Sequence, residues 1–165
     1  MKIETPIGTA WASVENGAVT RFGFGDDPFG AETNPLIARQ VTEYFSGKRT
    51  AFDLPLAPRG SAFQKSVWSE LMRIPFGETI SYAELARRVG RPGAFRAVGR
   101  ANATNPIALI IPCHRVIGSS GDLTGYAFGV DLKRKLIDWE RDVAGELLSC
   151  VTPPREPGLS LFAAQ

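Results

Sequence analysis

SYAELARRVGRPGAFRAVGRANA, which spans residues 81–103, contains two short helical patterns separated by a glycine-containing turn. Ser81 followed three residues later by Glu84 is a capping-box pattern, which predicts the start of the first helix. The turn Gly90–Gly93 leads into a second predicted helix over 94–103. Together they predict a helix-turn-helix, a motif with which proteins bind DNA. A plain packed pair of helices gives the same pattern and is the alternative.

The second predicted helix combines arginines with small side chains, which allow another molecule to approach its backbone closely. Its small residues are Ala97, Gly99, Ala101 and Ala103. Arg96 and Arg100 are four apart and share one side, whereas Phe95, Val98 and Asn102 are expected to share another. A glycine inside a helix costs up to about 1 kcal/mol relative to alanine, so packing alone does not favour it. The composition favours a surface on which a bulky partner docks.

Positive charge is concentrated in the second half of the chain. Residues 58–145 carry thirteen basic and eight acidic side chains, whereas residues 1–57 carry five and seven. The excess is densest over 84–115, where six arginines accompany a single acid, Glu84. Arginine suits phosphates and base edges, but a solvated helix face has the same composition. Charge alone leaves both interpretations open.

The first part of the chain predicts strands followed by one helix. An Asn-Gly dipeptide at 16–17 predicts a two-residue turn between strands at 9–13 and 19–24. Asn34 is expected to begin a helix that ends at Ser46. Two prolines in 53–59 predict an extended linker to a second unit.

The sequence therefore predicts two domains and a tail. We expect residues 1–57 to form an N-terminal α/β domain, residues 58–145 a C-terminal domain that contains the helix-turn-helix, and residues 146–165 a mobile tail. Within the second domain, the apolar run 107–111 predicts a buried strand. Asp131 is expected to cap a last helix, with Leu132, Leu136 and Trp139 facing inward.

Composition excludes several classes of protein. The chain has 165 residues, 44% of them hydrophobic and 22% charged, which is typical of a globular protein and excludes a disordered or fibrous chain. No apolar run approaches the ~18–20 residues of a membrane span, and the N-terminus lacks a signal-peptide core. Two cysteines are too few for a disulfide framework or a cysteine-based zinc site. We therefore expect a cytoplasmic protein with reduced thiols, no metal and no membrane partner.

Cys113 is adjacent to His114, the only histidine of the chain. A cysteine after an apolar strand is usually a buried, inert thiol. Here Pro112 is expected to end the strand just before the thiol, and His114 and Arg115 to raise the local positive potential. Because a free cysteine is only a few per cent thiolate at neutral pH, a base or a local field must act on it.

His114 is the candidate base for Cys113. Adjacent side chains diverge, so a bridging water is expected to carry the proton from the sulfur to the imidazole. An imidazole in this role needs a carboxylate on its other nitrogen. Asp122, Asp138 and Glu140 are the candidates, and spacing does not choose among them.

The residues around Cys113 resemble a known family. IPCHRVI at 111–117 is similar to the active-site signature of the O6-alkylguanine-DNA alkyltransferases, also called methylated-DNA–protein-cysteine methyltransferases. Further similar segments occur in the family's order: FQ at 63–64, VW at 67–68, IPFGETISY at 74–82, GRPGA at 90–94, RAVG at 96–99, NPI at 105–107 and LTGY at 123–126. The resemblance is dense from about 61 to 141 and weak over 1–57.

The resemblance implies roles for the catalytic residues. Cys113 would take the alkyl group from guanine O6, and His114 would act through water as its base. Glu140 would orient His114, and Tyr82 would help to neutralise the guanine as its oxygen leaves. Each molecule would react once, because the thioether product has no carbonyl for water to attack.

The resemblance also implies contacts to the base and the duplex. The carbonyls of Cys113 and Val116 would bind the guanine amine, the Ala127 N–H would reach O6, and Tyr126 would form a pocket wall. Phe128 is expected to narrow the pocket, and Asn105 matches the hinge after the recognition helix. DNA would be contacted by Arg96, Ala97, Gly99, Arg100 and Arg115. Arg96 would fill the space left by the flipped base, and the helix-turn-helix would enter the minor groove.

These residues predict an α+β protein. The resemblance implies a small N-terminal ribonuclease-H-like hairpin-and-helix domain and a C-terminal winged helix-turn-helix-like alkyltransferase domain. The predicted function is stoichiometric repair of O6-alkylguanine in double-stranded DNA after base flipping, with O4-alkylthymine as an open second substrate. The predicted protein is a monomer that needs no cofactor, and cooperative binding to DNA stays an open question. The alternatives are a non-catalytic sensor of alkylated DNA that recruits other repair proteins, and a transcription regulator.

Overall fold

The structure, a computed structural model, describes residues 2–30 and 34–151, with the side chains of 149–151 excepted. In chain order the elements are β1 (Lys2–Thr5), β2 (Gly8–Glu15), β3 (Ala18–Phe24), α1 (Pro35–Phe45), α2 (Ala62–Leu71), β4 (Ile80–Ser81), α3 (Tyr82–Arg88), α4 (Phe95–Ala103), a 3-10 turn (Cys113–Arg115), β5 (Val116–Ile117) and α5 (Val130–Val151). Helix and sheet are therefore mixed, as predicted.

The N-terminal sheet is antiparallel, with the order β1-β2-β3. Asn16 and Gly17 both have positive φ, at 50° and 80°, which suits the twist of a two-residue hairpin and confirms the predicted turn. Strand β1 escaped the sequence analysis. Helix α1 begins as predicted, because the Asn34 side chain accepts hydrogen bonds from two backbone N–H groups of its first turn.

The linker at 53–59 is extended, as predicted, but it is also bound to the sheet. The Val19 N–H donates to the Pro55 carbonyl, and the Ala57 N–H donates to the Val19 carbonyl, both at 2.8 Å. A second bridge joins Phe22 on the same strand to Ile107. The hydrophobic core consequently runs continuously from the sheet into the helical half.

The predicted strand at 107–111 is wrong. These residues are buried, but only Ile107 makes a strand-like bridge, and the chain then turns back on itself. The Ile111 N–H donates to the Ile107 carbonyl at 3.0 Å, and Leu109 has a φ of +66°. An apolar run indicates that its residues are buried, but it does not determine their backbone conformation. Here the backbone hydrogen bonds are made within a turn instead of with a neighbouring strand.

The predicted helix-turn-helix is confirmed as a pair of helices. The Ser81 side chain caps α3 by accepting from the Glu84 N–H, but the Glu84 carboxylate binds arginines instead of completing a capping box. Of the three α4 residues predicted to share one side, Val98 and Asn102 are buried, whereas Phe95 is 51% exposed.

The last helix, α5, carries part of the site and runs further than expected. It begins at Val130, which places Asp131 inside the first turn instead of at the cap. It continues through 146–151, six residues into the predicted tail, and residues 152–165 lie outside the described part of the chain. Among the described residues, no helix is long and apolar enough to cross a membrane.

Candidate active site

Cys113 opens the 3-10 turn directly after the buried turn at 107–111 and is 5% exposed. Two amides from the end of α4 hold this backbone. Asn105 donates to the Ile111 carbonyl at 2.8 Å, and Asn102 donates to the Cys113 carbonyl at 3.3 Å. The candidate nucleophile is therefore fixed to the helix that carries the predicted DNA contacts.

The surroundings of the thiol oppose its ionisation. Burial raises the pKa of Cys113, and a hydrogen bond from the Asn105 side chain and the charge of Lys133 lower it only in part. The sequence analysis assigned the positive potential to His114 and Arg115. In the structure the nearby cation is Lys133, and the thiol needs a base to lose its proton.

His114, Arg115, Glu140 and Tyr44 form a buried group that we call the Glu140 cluster. The Oε1 atom of Glu140 accepts from His114 Nε2 at 2.7 Å, from Arg115 Nη2 at 2.8 Å and from the Tyr44 hydroxyl at 2.7 Å. Arg115 Nε donates to Oε2 at 2.8 Å. Of the three acids that spacing left open, Glu140 contacts His114, whereas Asp122 and Asp138 are exposed.

The Glu140 cluster fixes where the imidazole proton resides. Burial raises the pKa of Glu140, but hydrogen bonds from His114 and Arg115 and the charge of Arg115 hold it well below its usual range. A carboxylate can only accept, so in the neutral imidazole His114 Nε2 carries the proton and Nδ1 is an acceptor. Nδ1 is buried, with no partner among the described residues.

The prediction that Arg115 contacts DNA is wrong. Its side chain is buried, with 7% of the residue exposed, and its guanidinium is committed to Glu140 and to the Ile74 carbonyl at 2.7 Å. The Cζ atom of Arg115 lies over the Phe76 ring, 5.7 Å from the ring centroid. A counter-charge on α5 explains this burial, and the local sequence around Arg115 carries no sign of it.

Tyr82 and Lys133 meet at one backbone carbonyl. The Tyr82 hydroxyl donates to the Thr124 oxygen at 3.2 Å, and Lys133 Nζ donates to the same atom at 3.0 Å. The Lys133 ammonium also lies 5.9 Å from the centre of the Tyr82 ring. Burial raises the pKa of Tyr82 and lowers that of Lys133.

Lys133, which the sequence analysis missed, is fully buried. A signal was present, because Lys133 lies three and seven residues before Leu136 and Glu140 on the inward stripe of α5. A lysine on an apolar stripe indicates a specific partner, since lysine is almost never fully buried without one. Tyr44 was missed as well, because the helical spacing of the apolar residues around it indicated only a position in the hydrophobic core.

The predicted pocket residues lie around the loop at 118–129. Tyr126 is half-buried, and its hydroxyl has no partner among the described residues. The Phe128 ring packs edge-on against Tyr126 and against Phe24 of β3, with ring centroids 5.7 Å apart in each pair. Val116 is buried and Ala127 is exposed.

The predicted DNA contacts on α4 are accessible. Arg96, Ala97 and Arg100 are exposed, and they line a groove of about 440 Å³ between α4 and the start of α2. Apart from its chain neighbours and the backbone of its own helix, a Cβ added at Gly99 would meet no atom of the described residues within 4 Å, so no packing contact among them requires that glycine. Among the described residues, no group of three or more metal-ligating side chains is placed to hold an ion.

Comparison with known proteins identifies the family. A family model described as the DNA-binding domain of 6-O-methylguanine DNA methyltransferase matches residues 62–142. The methylated-DNA–protein-cysteine methyltransferase of Mycolicibacterium paratuberculosis is 45% identical over 148 residues, which cover 84% of this chain and 90% of that protein. The chain belongs to the methylated-DNA–protein-cysteine methyltransferase family. It is by family a DNA-repair methyltransferase with a DNA-binding domain.

Further members of this family, and structures of them, are also similar to the chain. The family member of Methanosarcina barkeri is 61% identical over 105 residues, which cover 64% of this chain and 66% of that protein. The crystal structure of the Mycobacterium tuberculosis O6-methylguanine methyltransferase has a TM-score of 0.78 at 40% identity, covering 92% of this chain and 97% of that one. A structure of the Mycobacterium tuberculosis OGT in complex with DNA has a TM-score of 0.80 at 42% identity, covering 86% of this chain and 92% of that one.

Proposed function

We propose that this chain repairs double-stranded DNA by transferring the alkyl group of O6-alkylguanine to Cys113, once per molecule. The observation that carries the proposal is the proton arrangement beside the nucleophile. His114 donates from Nε2 to Glu140, and its buried Nδ1, which belongs to the residue next to the thiol, has no partner among the described residues. This arrangement supplies a base to a sulfur whose pKa burial has raised.

The proposed step balances as a displacement at carbon. A bridging water carries the Cys113 proton to His114 Nδ1, and the thiolate attacks the alkyl carbon. The new S–C bond forms as the C–O6 bond breaks, and the electron pair stays on the guanine. The imidazolium that results is stabilised by the Glu140 carboxylate.

Tyr82 and Lys133 support departure of the guanine. The Tyr82 hydroxyl is the proposed proton source for the leaving base, and the buried Lys133 ammonium beside its ring stabilises the phenolate that results. Asn105 holds the turn that carries Cys113. Val116, Tyr126, Ala127 and Phe128 are the proposed pocket residues, with Phe128 limiting the size of the alkyl group.

The helical half supplies the DNA contacts in this proposal. The target atom lies in the base stack, so the nucleotide must flip out at a cost of a few kcal/mol. Arg96, exposed on α4, is proposed to fill the vacated space, while Ala97 and Gly99 let the duplex approach and Arg100 contacts a phosphate.

We infer two domains, 1–57 and 58–145. A three-stranded antiparallel sheet followed by α1 supports a ribonuclease-H-like first domain. The helix pair α3 and α4, flanked in sequence by the paired strands β4 and β5, supports a winged helix-turn-helix character for the second. The proposed protein is a monomer, and a reduced thiol fits the cytoplasm.

The test is the mass of the tryptic peptide that contains Cys113 after incubation with a methylguanine duplex. We expect that peptide to gain one methyl group, and Cys113→Ala to remove transfer while retaining binding. Cys150→Ala, which changes the other cysteine, is the matched control and should react fully. An unmodified Cys113 peptide despite tight binding would refute the proposal and favour the non-catalytic sensor.

A further inference from the structure

Tyr44 links the N-terminal helix to the candidate catalytic base. It lies on α1, 96 residues before Glu140, and its hydroxyl donates to Glu140 Oε1 at 2.7 Å. That oxygen also accepts the proton of His114 Nε2 at 2.7 Å. A side chain from outside the helical half therefore shares the atom that orients the imidazole.

The Tyr44 hydroxyl has a fixed role in this hydrogen bond. Burial and the neighbouring Glu140 charge raise the pKa of Tyr44 well above its usual value, so the phenol remains protonated and donates. The ring is clamped on three sides. It stacks on Phe52 at 5.4 Å and meets Phe45 and Phe76 edge-on at 4.9 and 5.8 Å.

Tyr44 shares Glu140 Oε1 with two basic side chains, His114 and Arg115. Arg115 binds both oxygens, and the Gly77 N–H approaches Oε2 at 3.5 Å. Besides the imidazole of His114, Tyr44 is the only uncharged side chain among the described residues that donates to Oε1. Its removal would leave Oε1 to His114 and Arg115 alone.

We propose that Tyr44 is a positioning residue for alkyl transfer, which holds Glu140 Oε1 so that His114 presents Nδ1 to the proton of Cys113. The inference rests on the proposed function and extends it, because it makes the N-terminal unit part of the chemistry. Tyr44 does not touch the reacting atoms and acts through Glu140.

Tyr44→Phe tests this role because it removes the hydroxyl and keeps the ring and its packing. His114 is the only histidine, so the proton resonance of its Nε2–H is assigned without ambiguity. With one donor fewer on Oε1, we expect this resonance to move downfield. The transfer rate should fall about tenfold, the usual effect of one hydrogen bond to a charged group, with unchanged affinity for the duplex.

Phe52→Leu is the matched control, because it loosens the stack on Tyr44 and leaves the hydroxyl in place. Melting temperatures verify that both variants fold. If Phe52→Leu reproduces the shift and the slower transfer, packing explains both and the inference is overturned. Phe52→Leu also keeps the test decisive if Tyr44→Phe does not fold. A wild-type Nε2–H resonance and a wild-type transfer rate in Phe52→Leu would support the role of the hydroxyl, because this variant loosens the stack and keeps the hydroxyl.

The resonance separates this inference from the proposed function. An unmoved Nε2–H signal in Tyr44→Phe overturns the positioning role whether or not the wild-type protein transfers an alkyl group. A wild-type protein that never alkylates Cys113 overturns the proposed function, and the resonance still decides whether Tyr44 acts on His114.

Discussion

Glu84 and Glu140 are two carboxylates that each bind basic side chains, yet they do different work. Glu84 accepts from Arg87 Nη2 at 2.6 Å and from Arg88 Nε at 2.9 Å, both within α3 and partly exposed. Glu140 accepts from α1 and from the 3-10 turn, in a site closed to solvent. Both carboxyl groups have lowered pKa values, that of Glu84 to about 2.

The difference lies in what each carboxylate organises. Partners three and four residues away follow from helix geometry, and solvent screens them, so the Glu84 pairs add little to stability. The partners of Glu140 come from distant parts of the chain. Because the group is buried, removing one charged partner leaves the other as an uncompensated buried charge. A lowered pKa alone therefore does not identify a functional carboxylate, whereas burial together with a long sequence separation points to one.

Replacing each carboxylate by its amide gives the largest expected contrast. Glu140→Gln leaves the buried Arg115 without a counter-charge, which costs about 3–5 kcal/mol of unfolding free energy. It also removes the partner of His114, so transfer should fall about a hundredfold or more. Glu84→Gln should leave transfer unchanged. Denaturant unfolding and the rate of Cys113 methylation measure both, and equal effects would erase the distinction.

Acid should reveal the Glu140 cluster through stability. The native pKa of Glu140 is depressed, so its contribution is complete above the unfolded carboxyl pKa of about 4.3 and is lost as pH falls from there towards the lower native value. We expect the melting temperature to fall as the pH is lowered below about 4.3, and to fall less steeply in Glu140→Gln than in the wild type. High salt should screen Glu84 during this measurement. Parallel curves for wild type and variant would contradict the assignment.

The smallest contrast concerns two arginines and the salt dependence of DNA binding. Arg100 is exposed on α4, and Arg100→Met should reduce the slope of log affinity against log salt by about one. Arg115→Met should leave the slope unchanged and lower the melting temperature, because Arg115 is buried on Glu140. A reduced slope in Arg115→Met would return this residue to the DNA interface.

Local signals in the sequence predicted most of the elements. The Asn-Gly turn, the Asn34 cap and the two glycines around Pro92 act on their immediate neighbours, so they can be read without the fold. The run at 107–111 was misassigned because hydrophobicity reports burial and not backbone direction. Strand β1 was missed because four residues offer too little pattern.

The candidate site divides in the same way. Cys113, His114 and Tyr82 were identified through a resemblance of contiguous motifs, and Glu140 was one of three acids until contacts were known. Arg115 was assigned to DNA because its charge was visible and its partner on α5 was not. Tyr44 contacts Glu140 across 96 residues, which composition and periodicity do not encode, whereas the place of Lys133 on the inward stripe of α5 was a signal that could have been used.

The two bridges on β3 have a consequence for aggregation. An edge strand exposes backbone groups that can recruit another chain, and natural proteins cover such edges. Here the linker at Val19 and the turn at Phe22 occupy the outer edge of β3, so an incoming strand finds those backbone groups already used. In the native state, intermolecular strand addition to this sheet is accordingly directed to the short outer edge of β1.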